Sequence, residues 1–177
     1  MLPDFKANHF ELFGLPPVYG LDLSVLEQAY RTLQGQVHPD RFSHLAEAEK
    51  RLSMQWSTRV NEAWQVLRSP LSRAAYLLSL QGIDVFSAGH PPLPAEFLMR
   101  QIEWREAIGE AKSARDASRL QNIEDEIRAA SRSWQRRLTE ELDRQHDAAA
   151  AAQTVRQLKF AEKILEEVDA IWPELED

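Results

Sequence analysis

There is no cysteine in this chain of 177 residues. Disulfides, thiolate nucleophiles and cysteine-ligated zinc or iron–sulfur centres are thereby excluded from it. No apolar run approaches the roughly 20 residues that a membrane-spanning helix needs, so no membrane partner is expected. The first twenty residues hold one Lys or Arg, Lys6, against Asp4 and Glu11. A secretory signal has a basic start and an apolar middle, and a mitochondrial presequence is Arg-rich and acid-poor; neither pattern is present, and a protein that stays where it is made is expected. Glycine-rich phosphate loops, nucleophile elbows and paired-carboxylate constellations are missing. The expectation is a chain with no catalytic residues and no cofactor of its own. A basic surface is lacking too: the formal charge of −7 speaks against a nucleic-acid partner, whose binding rests on Lys and Arg.

What is present is the balance of a folded globular protein, 44% hydrophobic and 28% charged. The charge is uneven. Residues 1–89 carry 8 Lys/Arg against 9 Asp/Glu, and residues 90–177 carry 13 against 19, an asymmetry that suggests two units with different partners.

The N-terminal part reads as helices joined by turns. Phe10 to Leu15 is a short apolar helical turn stopped by Gly14 and Pro16. A second helix is predicted from Asp22 or Ser24, both good N-caps, with Ser24 and Glu27 in capping-box spacing. Leu26, Ala29, Tyr30, Leu33 and Val37 lie on one of its faces, and Pro39 ends it. A third helix is predicted from Ala46 to Arg68 with an apolar stripe of Leu52, Trp56, Val60, Ala63, Trp64 and Leu67. The two long helices should pair antiparallel. A fourth, from Leu71 to Gln81, ends at Gly82.

Residues 82–94 hold two glycines and three prolines, Pro94 included, and read as a connector. Three amphipathic helices follow: from Pro94 to Lys112; from Asp116 to Arg144, with Leu120, Ile123, Ile127, Trp134, Leu138 and Leu142; and after Asp147, with Ala151, Val155, Leu158, Leu165, Val168 and Trp172. Short connections between such helices make a three-helix bundle. The fold class is thus all-α, with residues 1–82 as one domain, 83–94 as linker and 95–177 as the bundle.

His38-Pro39-Asp40 follows one amphipathic helix and precedes another. With Val60–Leu67 (NEAWQVL after the valine), Ser69-Pro70, and Arg73-Ala74 with Tyr76, this arrangement resembles the J domain. The resemblance implies that the loop contacts a DnaK-type chaperone and stimulates its ATPase. Physically, the proline fixes the backbone and lowers the ordering cost of binding, Asp40 can pair bidentately with an arginine, and His38 can donate and accept. Arg31 and Arg41 are the cations that the J-domain resemblance adds to this surface, beside Glu27, where such domains usually present a more basic second helix.

The whole chain, from about Asn8 to Glu167, resembles the HscB-type co-chaperones of iron–sulfur cluster assembly. The residues that carry this are His9–Pro16 (HFELFGLP), Arg73–Gly82 (RAAYLLSLQG), Phe97–Glu106 (FLMRQIEWRE) and Thr154–Phe160 (TVRQLKF). The resemblance implies a bacterial cytoplasmic protein that brings the scaffold protein IscU to the chaperone HscA. It also implies a scaffold-binding face of Leu98, Met99, Ile102, Glu103, Glu106, Glu110 and Phe160. Helical spacing supports an interface independently: Leu98, Ile102 and Glu106 share a face, flanked by Met99 and Glu103, with Glu110 a turn further on. Phe160 and Ile164 are expected off the main stripe of the last helix. The alternative is that these apolar residues simply pack the bundle.

His38, Asp40 and His44 make a poor metal set, with a proline between the first two, and no metal is expected. His9, His90 and His146 are expected at the surface or at caps, and Trp56, Trp64 and Trp134 in the core. Two rival readings stay open: a J-domain protein whose bundle serves weak self-association or another client, and a helical DNA-binding regulator, which the charge disfavours.

Overall fold

A computed structural model describes residues 6–37 and 46–176 of the chain. Every regular element among them is helical: α1 (His9–Leu12), α2 (Leu23–Val37), α3 (Glu47–Arg68), α4 (Pro70–Ser79), α5 (Ala95–Ala114), α6 (Ala117–Leu138), a π-helical turn (Thr139–Arg144) and α7 (Ala148–Glu176). They fall into two compact units, Met1–Leu77 and Leu78–Asp177. The all-α expectation holds, and the first unit is a helical hairpin flanked by short helices.

In the first unit, Asn8 opens α1. Its side-chain oxygen accepts from the N–H groups of Phe10 (2.9 Å) and Glu11 (3.0 Å), while the Glu11 carboxylate accepts from the Asn8 N–H at 2.8 Å. This reciprocal cap satisfies donors that a helix start leaves open. Gly14, at φ +65°, then turns the chain through a region that side chains disfavour. Asp22 starts α2, accepting from the Ser24 N–H at 2.9 Å and the Ser24 hydroxyl at 2.7 Å. The Ser24–Glu27 box does not form, because the Ser24 hydroxyl is committed to Asp22 and Glu27 pairs with Arg31.

Helices α2 and α3 run antiparallel. Val37 lies beside Ser53, whereas Tyr30 lies beside Asn61 and Trp64, so residue numbers rise in one helix as they fall in the other. Leu26, Leu33 and Val37 of α2 and Trp56, Val60, Ala63 and Leu67 of α3 are buried. One expected stripe residue is misplaced: Leu52 is exposed and Ser53 is buried. The buried row runs 53–56–60–63–67, alternating steps of three and four, which is the helical repeat. Ser53 is tolerated there because its hydroxyl donates to the Val37 carbonyl at 2.7 Å, one of the acceptors that the end of α2 leaves open.

Arg73 of α4 is buried. Its guanidinium donates to the Tyr19 carbonyl (2.8 Å) and the Leu67 carbonyl (2.6 Å) and sits 5.0 Å from the Tyr19 ring centroid. The charge thus ties the loop before α2 to the end of α3. His9 is not a surface histidine as expected. It stacks on Tyr76 at 4.2 Å between ring centroids, and its pKa is lowered, first by burial and then by Arg59.

In the second unit, α5 buries Phe97, Gln101, Trp104, Ile108 and Ala111. It ends at Arg115 in the left-handed conformation (φ 52°), and Asp116 caps α6 by accepting from the Arg119 N–H at 2.9 Å. Two indoles resolve their polarity on carboxylates: Trp104 donates to Glu126 and Trp172 to Glu124, both at 2.9 Å. The helix expected to continue regularly to Arg144 is α-helical only to Leu138 and then widens into the π turn. Helix α7 packs against both α5 and α6, so its buried surface is broad. Ile164, expected off the stripe, is fully buried with Val155, Leu158, Ala161 and Val168. Residues 83–94 have no helix or strand, yet they are held to this unit. Val85 and Leu93 are buried, Arg156 donates to the Pro91 carbonyl at 2.6 Å, and the Lys159 ammonium lies 3.7 Å from the Phe86 ring centroid.

Candidate functional site

The first surface is the hairpin end of the first unit. His38, Pro39, Asp40 and Arg41 lie outside the described residues. Their two stems are described: α2 ends at Val37 and α3 begins at Glu47. The Ser53–Val37 bond holds these stems together one residue before His38. Ser53 was missed by sequence reasoning, and the only signal for it was its place in the three–four repeat. Arg31 is exposed on α2 and ion-paired to Glu27 one turn earlier. Part of its charge is therefore neutralised locally, and an exposed pair of this kind is worth about 0–1 kcal/mol.

The second surface is built on α5. With the row Phe97–Gln101–Trp104–Ile108–Ala111 buried, the adjacent row turns outward: Leu98 is 42% exposed, Met99 60% and Ile102 53%. Glu103, Glu106 and Glu110 are exposed as well. Packing in the core does not explain the three apolar side chains, so they stand as surface residues.

The partner row on α7 follows from register. Arg105 pairs with Glu167 at 3.3 Å and Lys112 with Glu174 at 2.9 Å. Both pairs are separated by 62 residues, so α5 and α7 run in parallel along this seam. The same offset carries Leu98 to Phe160. Phe160 is half-buried, its ring centroid 6.1 Å from that of Phe97. One end of the seam is therefore apolar, formed by Leu98, Ile102 and Phe160, and the other is closed by ion pairs. Beside it, Met99, Glu103, Glu106 and Glu110 form a second row at steps of four, three and four. Glu110 is paired with Arg119 across the α5–α6 turn. Glu103 and Glu106 make no ion pair with any described residue. Neighbouring like charges at such spacing disfavour the helix by about 0.2–0.5 kcal/mol per pair, a cost that a cationic partner would relieve.

Among the described residues no group of His, Asp or Glu is arranged to hold a metal ion, and no helix is long and apolar enough to cross a membrane. His90 donates through Nε2 to the Asp84 carbonyl within its own connector, at 2.7 Å. His146 adopts φ 54° before α7.

Residues 93–169 match the family model described as the HSCB C-terminal oligomerisation domain. A co-chaperone protein HscB homolog of Azoarcus sp. is 48% identical over 177 residues, covering 100% of both chains. The solved chaperone HscB from Vibrio cholerae superposes with a TM-score of 0.82 at 37% identity, over 96% of this chain and 99% of that one. The crystal structure of the human co-chaperone protein HscB gives 0.88 at 28% identity, over 96% of this chain and 84% of that one. With likeness in sequence and in fold running the length of both units, the chain belongs to the HscB family of J-domain co-chaperones.

Proposed function

We propose that this co-chaperone stimulates the ATPase of a specialised DnaK-type chaperone, HscA, and delivers the iron–sulfur scaffold protein IscU to it in the bacterial cytoplasm. Residues 1–82 act as the J domain, 83–94 as the connector and 95–177 as the scaffold-binding bundle. The chain has no catalytic activity of its own; the ATP belongs to the chaperone. His38, Pro39 and Asp40, with Arg31 and Arg41, engage the chaperone, and Leu98, Met99, Ile102, Glu103, Glu106, Glu110 and Phe160 hold the scaffold.

The single observation that carries the delivery reading is the exposed apolar end of the α5–α7 seam bordered by Glu103 and Glu106, which have no ion-pair partner among the described residues. An apolar patch rimmed by polar residues marks an interaction surface, and the acids select a partner with Lys or Arg opposite. Holding the scaffold on the same chain that engages the chaperone raises the effective concentration of one for the other without any new contact.

The test is steady-state ATPase of HscA with this protein and its His38→Gln variant. Loss of stimulation with an unchanged circular dichroism spectrum is expected. Undiminished stimulation by a folded His38→Gln protein would overturn the chaperone assignment.

A second reading, weak self-association through the bundle, is favoured by the oligomerisation domain named for the matching family model. Sedimentation velocity over a wide concentration range separates the two. A stable dimer abolished by Ile102→Asp would assign the exposed row to self-association, and a monomer throughout would leave it to the scaffold.

A further inference from the structure

The connector before α5 is folded around one residue, Asp84. Its carboxylate accepts from the Phe86 N–H at 3.1 Å, and its carbonyl accepts from the Ser87 hydroxyl at 2.8 Å and from His90 Nε2 at 2.7 Å. Val85 is buried, whereas Phe86 is turned outward and is 46% exposed. The turn uses only the backbone N–H of residue 86, so its hydrogen bonds give no reason for an aromatic side chain there. A loop fixed in this way presents that ring to a partner at little ordering cost.

The surroundings of Phe86 lead to the α5–α7 seam. The Lys159 ammonium lies 3.7 Å from the Phe86 ring centroid, and Lys159 directly precedes Phe160 on α7. Arg156, one turn before Phe160, donates to the Pro91 carbonyl at 2.6 Å. Connector and Phe160 therefore border the same strip of α7, along which Arg156, Lys159 and Lys163 recur at steps of three and four. Lys159 and Lys163 are exposed, and neither has an ion-pair partner among the described residues. The apolar end of the seam thus has glutamates on its α5 side and lysines on its α7 side, with Phe86 beyond the lysines.

We infer, on the scaffold-binding role proposed above, that the scaffold surface continues across α7 onto the connector, with Phe86, Lys159 and Lys163 as further specificity-determining residues. Continuity with the Leu98–Ile102–Phe160 patch selects the scaffold as the occupant. The residues so far assigned to it are also fewer than the roughly 20–30 a side that a specific interface uses. Opposite charges on the two flanks of one apolar strip fix a single orientation: the scaffold sets Lys or Arg against α5 and Asp or Glu against α7. Arranged charges of this kind give specificity and speed of encounter more than affinity. Phe86 adds apolar area, and its contact with the Lys159 ammonium strengthens when a partner removes water from the pair.

The experiment is isothermal titration of the full chain with IscU at low and high salt, comparing wild type, Phe86→Ala, Lys159→Glu and Phe160→Ala. Phe86→Ala should weaken binding by about tenfold at either salt, the value of covering the exposed half of the ring. Lys159→Glu should weaken it by about tenfold at low salt and by less than about threefold near 0.5 M, where exposed charges are screened. Both side chains are exposed, so denaturant unfolding should match the wild type, and Lys159→Glu stands as an independent test should Phe86→Ala disturb the turn. Loss of affinity in Phe160→Ala, with Lys159→Glu or a normally folded Phe86→Ala within about twofold of wild type, would overturn this extension and leave the scaffold role intact. A salt-independent loss in Lys159→Glu would overturn its electrostatic part. Absence of IscU binding by the wild type, or full affinity in Phe160→Ala, would overturn the scaffold role itself.

Discussion

Replacing Leu98, Met99 and Ile102 together by alanine separates binding from folding. The three side chains are 42%, 60% and 53% exposed, so roughly half of each remains to be covered by a partner. Full burial of such a side chain stabilises by about 1.5–3 kcal/mol; the uncovered half is then worth about 1 kcal/mol per residue and about 3 kcal/mol for the row. At 1.4 kcal/mol per decade this weakens scaffold binding by about a hundredfold, an upper figure because adjacent residues share the surface they cover. Stability should change little, whereas Ile127→Ala, at a fully buried position, should cost about 2–5 kcal/mol. Isothermal titration against IscU, paired with denaturant unfolding, reads both quantities. A loss of affinity under about threefold, or destabilisation as large as that of Ile127→Ala, would refute the assignment of this row to a partner.

Ser53→Ala should destabilise the chain by about 1–3 kcal/mol in urea unfolding, because it strands the Val37 carbonyl inside the hairpin, and Ser53→Thr should recover part of the loss. Glu124 supplies a pH dependence. Burial pushes its carboxyl up, but hydrogen bonds from Arg128 and Trp172 and the guanidinium charge outweigh burial, and the pKa falls below the ordinary glutamate value. A depressed folded pKa gives stability that is fully present above the unfolded pKa and is lost as pH falls through the folded one. Unfolding free energy should therefore drop more steeply in acid for the wild type than for Glu124→Gln, and parallel curves would contradict the role given to Arg128 and Trp172.

Helix boundaries and the antiparallel hairpin were legible because apolar spacing, proline and glycine all pointed the same way at Leu26–Val37, Trp56–Leu67 and Gly82. Three features were hidden by one physical cause, that a buried row need not be apolar or single. Ser53 occupies a core position through a hydrogen bond that no pattern of hydrophobicity reports, and this displaced the predicted stripe onto Leu52. Ile164 read as peripheral because one stripe was assumed for α7, whereas a helix packed on two neighbours buries two faces. The π turn after Leu138 depends on how Glu141 and Leu142 are drawn inward, which the even spacing of Leu138 and Leu142 does not reveal. On α5 the outward row was visible as a repeat, but whether it faced water or the bundle depended on which neighbouring row packed. The parallel register that brings Phe160 beside Leu98 needed the ion pairs of Arg105 and Lys112.

The most direct measurement of the central claim is steady-state ATPase of HscA with IscU alone, with this protein alone and with both, each repeated with Phe160→Ala. The account predicts synergy that requires both proteins and collapses in Phe160→Ala, while stimulation by the variant alone persists. Stimulation indifferent to IscU, or synergy untouched by Phe160→Ala, would contradict delivery of the scaffold by the bundle.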